Sequence, residues 1–211
     1  MPLYLSYLCS FFVVVPIIIG FIKRVFIDNS LKYIFILMLA SFVAEALNDV
    51  LASHKINNMF VFKSFTIVEF TLLILFFKCF FDIIRQSYIH IFFLVFFFFV
   101  VAYDAFFRNT IGMIDDLPTS IESVVLISYS SIAFYLIMKK LLYENLIETS
   151  FFWMNSAILI YFGGNLFLFL CGNYLQKYYT ADYGLLYAIH SFLNISYYCI
   201  ISIGFWKVKK A

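Results

Sequence analysis

The chain has 211 residues, of which 65% are hydrophobic and 12% charged, with a formal net charge of +2. Soluble domains are about half apolar and about a quarter charged, and one small core cannot bury such an excess at a mean hydropathy of +1.00. The composition excludes a secreted disulfide scaffold, a nucleic-acid binder and a cytosolic enzyme, and makes lipid the expected solvent.

Crossing a hydrocarbon core takes about 20 apolar residues. In chain order, seven stretches meet that length: 3–22, 33–52, 59–81, 88–107, 117–138, 151–172 and 185–206. The breaks between them carry charge or turn chemistry. These are Lys23-Arg24 with Asp28-Asn29-Ser30, His54-Lys55 with Asn57-Asn58, Asp82 with Arg85-Gln86-Ser87, Arg108 to Asp116, Lys139 to Ser150, and Gln176 to Gly184. Pro118 falls in the first turn of the fifth stretch, where its missing N–H costs nothing. The runs are too long and too uniformly apolar for barrel strands. The expected fold is therefore all-α, a single polytopic membrane domain over 1–211 with seven transmembrane helices.

The first stretch has no basic residue before it, so it reads as a span and not as a cleaved signal peptide. Basic residues set the orientation. Of the 14 lysines and arginines, all but Lys55, Lys63, Arg108 and Lys177 follow odd-numbered spans or lie in the tail. The expected N-terminus is outside and the C-terminus cytoplasmic, in a bacterial inner membrane, with Lys207–Lys210 as a cytoplasmic anchor. The phenylalanine run 96–99 reads as lipid-facing or packed bulk. Cys9, Cys79, Cys171 and Cys199 share no metal-ligand spacing and read as free thiols.

Ionisable side chains at membrane depth cost about 2.5–3.5 kcal/mol each on insertion scales and call for a partner or a purpose. The second span carries Ser41, Glu45, Asn48 and Asp49 on one helical stripe. The third has Lys63, Thr66 and Glu69, the fourth Asp104, the fifth Glu122 with Tyr129 on the same face, and the sixth Asn165 beside Gly163-Gly164. A second stripe in the last span holds Tyr187, His190, Ser191, Asn194, Tyr197 and Tyr198. Counting about 1.5 Å per residue puts Glu69 and Asn194 near the midplane. The same count puts Glu45, Asp49, Asp104, Glu122, Asn165 and His190 in the outer half. Asn155 is the main polar group of the inner half.

This distribution predicts an outward-facing polar pocket lined by Glu45, Asn48, Asp49, Glu69, Glu122, Asn165, His190 and Asn194, with Tyr129, Tyr187 and Tyr197 as further walls. For any one of the asparagines, hydrogen bonding between helices is the favoured reading, whereas a carboxyl is an expensive way to join helices. Lys63 is expected to snorkel or to bridge Asp49 or Glu122, and Asp104 to pair with Arg108 at i+4. An ionised Glu45 or Glu69 would favour a cationic ligand or a proton path, and a protonated one would donate a hydrogen bond. The glycine pair is expected to serve packing, and Pro16 to kink the first span.

Rhodopsins and G-protein-coupled receptors share the span count, but the last span has no lysine before Lys207 and the receptor triplets are absent. Three-plus-one-plus-three sugar carriers share the length but not their proline motifs. His54, His90 and His190 lie at different levels and cannot assemble a three-histidine zinc site, and no nucleophile motif is present, so no enzyme and no cofactor are expected. The stretch from Asn57 to Phe77, above all Phe65-Thr66-Ile67-Val68-Glu69-Phe70, resembles a group of small bacterial seven-helix membrane proteins. The likeness extends to Phe152-Trp153, Ile160-Tyr161-Phe162 and Ile189-His190 with Asn194. Members of that group have no assigned activity, and some are encoded beside sensor histidine kinases. The resemblance implies sensing before transport. The expected function is a sensor for a small molecule or ion, signalling through a membrane or signalling partner. The alternatives are a proton- or cation-coupled transporter and a structural subunit of a membrane complex.

Overall fold

The computed structural model describes residues 3–84, 88–108, 116–140, 145–178 and 183–208. The expected breaks at 85–87, 109–115 and 179–182 lie outside the described residues, as do the side chains of Tyr187, Cys171 and Arg108. Seven α-helices follow one another: α1 Leu3–Ile22, α2 Leu31–Ser53, α3 Met59–Ile84, α4 Ile89–Tyr103, α5 Asp116–Lys140, α6 Ser150–Tyr178 and α7 Tyr183–Trp206. No strand occurs among the described residues. Stretches within α2, α3, α5 and α7, and α4 taken with its following turn, are long and apolar enough to cross a membrane. α1 adds the shorter apolar segment Phe11–Ile22. The chain is thus a helical protein with the apolar helices of a multi-pass membrane protein.

Local chemistry explains the helix boundaries. Asp28 Oδ1 accepts hydrogen bonds from the backbone N–H groups of Ser30 and Leu31 at 2.8 and 2.9 Å, satisfying donors at the start of α2. Asn57 Oδ1 does the same for Met59 at the start of α3. At the end of α2, Lys55 adopts the left-handed conformation with φ 57°. The N–H of Lys55 then donates to the Ala52 carbonyl and that of Ile56 to the Leu51 carbonyl. This is a Schellman closure with lysine where glycine is usual. α1 runs unbroken through Pro16. α4 passes into a π-helical turn over Asp104–Arg108, a feature that hydropathy does not report.

Packing follows the connections and then closes on itself. α1 packs on α2, α2 on α3, α5 on α6, α6 on α7, and α7 returns to α1. α3 also touches α5 directly, so six helices form a ring and α4 sits against the α3–α5 seam. Most of α4 is accordingly exposed. In the run 96–99, Phe97 is fully buried and stacks on Phe70 with centroids 4.0 Å apart, while its neighbours face outward. Gly164 permits the close approach of α6 to α7, since a Cβ there would lie 2.7 Å from Leu193 Cδ2. Gly163 faces open space, so only one glycine of the pair serves packing.

Candidate functional site

Five of the ring helices contribute polar side chains to one cluster. Its centre is Tyr161 on α6, whose ring stacks on that of Tyr197 on α7 with centroids 4.7 Å apart and planes at 29°. Glu69 on α3, Glu122 on α5 and Glu45 on α2 all lie close enough for their charges to act on the Tyr161 phenol. Glu69 and Glu122 act on Tyr197 as well. Tyr198, the next residue of α7, donates from its hydroxyl to Glu45 Oε1 at 2.6 Å, closing the ring interior between α2 and α7. Glu69, Glu122, Tyr161, Tyr197 and Tyr198 are buried, and Glu45 is half-buried.

A hydrogen-bonded chain runs beside the tyrosines along the α6–α7 seam. Asn165 Nδ2 donates to the Tyr161 carbonyl one turn earlier at 2.9 Å. That bond orients the amide so that Asn165 Oδ1 faces His190 Nδ1 at 2.8 Å. The imidazole must then donate from Nδ1. Its Nε2 accepts from Asn194 Nδ2 at 3.1 Å. Both ring nitrogens are used by amides in complementary roles, which defines the neutral Nδ1–H tautomer. Assigned from this network, His190 brings no positive charge to the three carboxyls.

Other polar residues lie along the same helices. Asn48 and Asp49 are half-buried on the last turns of α2. The Asp49 charge reaches the Cys9 thiol, which donates to the Ser191 carbonyl at 3.7 Å across the α1–α7 seam. Ser41 and Thr66 turn back onto the carbonyls of Leu37 and Phe62 in their own helices. Lys63 Nζ lies 3.5 Å from Asp104 Oδ2 in the π-helical turn, a partner not anticipated for either residue. Tyr129 corrects the expected pocket wall. It packs with Phe77, Phe81, His90 and Phe93, at ring distances of 5.5 or 5.6 Å. Seven residues separate it from Glu122, which is about 10 Å along the axis. It therefore faces the same way but at a lower level.

Tyr161 and Tyr198 carry the geometry of the site and were not among its expected lining residues. With 16 tyrosines in the chain, composition does not single them out. The available signal is helical spacing, since Tyr161 stands one turn from Asn165 and Tyr198 one turn from Asn194. Among the described residues no group of three histidine, cysteine, aspartate or glutamate side chains is placed to hold a metal ion. Chemically the cluster offers carboxyl groups, phenol hydroxyls, a stacked aromatic surface and a neutral imidazole fixed by amides. Comparison with protein-family models, with curated proteins and with solved structures finds no match to this chain.

Proposed function

We propose that this is a bacterial inner-membrane sensor with seven spans, the N-terminus outside, and an acidic outward-facing site for a small solute or ion. The observation that carries the proposal is that Glu45, bonded to Tyr198, and the buried Glu69 and Glu122, from three helices, lie near enough to one buried tyrosine for their charges to act on it. Carboxyls at this depth are costly unless they are paired or used, and their meeting point is lined by hydrogen-bonding groups from α6 and α7. The bias of lysines and arginines toward one side supports the orientation. Binding shifts helices only if two arrangements differ in affinity for the ligand. The signal would then pass to a membrane or signalling partner.

Sensing is favoured over passage by the other end of the bundle. There Phe80 stacks on Phe151 at 4.0 Å, Phe76 stacks on Phe151 at 5.3 Å, and aromatic rings fill the space between α3 and α6. The deciding experiment uses the purified chain in liposomes with a panel of monovalent cations, ammonium salts, amino acids and sugars. Saturable binding without flux is the expected result. Solute-dependent flux that Glu69→Gln abolishes would establish the coupled carrier instead. A chain that is stable only with a stoichiometric membrane partner would mark a structural subunit.

A further inference from the structure

We infer that the outer seam between α1 and α7 holds an anionic phospholipid, its acyl chain lying along the two helices and its phosphate against Lys23. The helices run side by side in the same direction. Near one end of the seam the Cys9 thiol meets the Ser191 carbonyl at 3.7 Å, and near the other Lys23 Nζ donates to the Val208 carbonyl at 3.4 Å. These points are about 20 Å apart along α1, more than the depth of one leaflet, about 15 Å of hydrocarbon. Both helices carry an exposed apolar face. Phe11, Ile18 and Ile22 stand together on α1 at i, i+7 and i+11, and Cys199, Ile203 and Trp206 on α7 at i, i+4 and i+7. All six are exposed, Ile22 by 59% and Trp206 by 60% at the Lys23 end.

A cation closes that end. Lys23 does not reach into solvent but lies with Nζ 4.8 Å from the centroid of the Trp206 ring. An ammonium has three N–H donors, so one carbonyl and one ring face leave a donor for a further acceptor. Among the described residues no carboxylate forms an ion pair with Lys23, or with Arg24 and Lys207, the basic residues next in sequence to Lys23 and Trp206. Asp28, the one acid of the turn after α1, directs its Oδ1 to the N–H groups of Ser30 and Leu31 and to the Ser30 hydroxyl. Val25, next to Arg24, is fully buried, which fixes the backbone beneath the charges. A held cation at the end of an exposed apolar seam matches a phosphodiester at the hydrocarbon boundary. A soluble anion would use the charge and leave the apolar faces bare, and an apolar peptide would do the reverse.

The test is quenching of Trp206 fluorescence by bromine-labelled lipid, with the full chain in phosphatidylcholine vesicles and Trp153→Phe removing the other tryptophan. Labelled phosphatidylglycerol should displace unlabelled phosphatidylcholine about fivefold better than labelled phosphatidylcholine does. Lys23→Gln combined with Arg24→Gln should bring that preference within about twofold, and so should about 1 M salt, where the screening length is about 3 Å. Lys23→Arg, which keeps the charge, should retain it. The salt measurement decides even if the double variant does not fold. Equal quenching by the two lipids overturns the inference, as does a preference that survives the substitutions or the salt. A preference equally strong at Trp153, read in Trp206→Phe, marks general surface attraction and also overturns it. Loss of the preference to soluble glycerol phosphate at matched ionic strength would assign the cations to free phosphates instead. The acidic site stands or falls separately, since none of its residues takes part.

Discussion

The two ends of the bundle differ in how their buried polar groups are joined, although the Tyr197 hydroxyl at the acidic end also has no hydrogen-bond partner among the described residues. At the acidic end, polar atoms are joined into chains: Tyr198 to Glu45, and Asn165 through His190 to Asn194. At the aromatic end, His90 is buried with neither ring nitrogen hydrogen-bonded among the described residues, and the Tyr129 hydroxyl is likewise without a partner. Rings hold this pair in place, with Phe81 5.7 Å from the imidazole and Tyr129 5.5 Å from it. The contrast teaches that a polar residue at membrane depth is not by itself a site. What distinguishes a site is convergence from several helices onto shared partners.

Three substitutions sharpen that contrast, each read by thermal or denaturant unfolding in detergent micelles. The largest effect is expected at the aromatic end. Phe77 is fully buried and meets Phe76, Phe81 and Tyr129, so Phe77→Ala should cost about 3–5 kcal/mol through the cavity it leaves. A loss below about 1 kcal/mol would mean that the rings are not close-packed. Next comes Asn165→Ala, which removes the Oδ1 acceptor facing His190 Nδ1 and should cost about 1–3 kcal/mol. An unchanged unfolding midpoint would show that His190 has another acceptor, and the idea of a fixed tautomer would fail. The smallest change has the opposite sign. His90→Phe replaces two unsatisfied nitrogens by a ring of similar shape and should be neutral or stabilising by up to about 1 kcal/mol. A clear destabilisation would reveal a hydrogen bond to His90 and erase the difference between the two ends.

Much of the helix plan was legible because the burial of backbone polar groups in lipid leaves few choices. The first apolar stretch coincides with α1, five of the others fall within one helix each, and 88–107 covers α4, the residue before it and most of the π-helical turn. Limits set by hydropathy were less complete where polar residues continue a helix, as α6 does from residue 172 to Tyr178. Apolarity marks the greasy part of a helix, not its last hydrogen bond. The π-helical turn after Tyr103 was invisible, since a shift from i+4 to i+5 bonding leaves no mark in composition.

Legibility of the site followed the same logic. The helical stripe and depth count set Asn165, His190 and Asn194 at neighbouring heights, because both depend only on rise and turn, and the structure joins these three by hydrogen bonds. Partner choice was not legible. Lys63 was matched to acids at a similar depth, but its bond to Asp104 depends on α4 lying beside α3, which spacing along one helix cannot reveal. Tyr129 was assigned by face without enough weight given to its height, and Tyr161 was hidden by the abundance of its kind.

The position of α4 has a mechanical consequence. This helix lies outside the ring, yet its last turn carries Asp104, clasped by Lys63, and its first carries His90, lodged among rings of α3 and α5. The two anchor points are about 21 Å apart along a stiff rod. Fixed at both points, α4 acts as a strut that ties the α3–α5 seam together along most of its length.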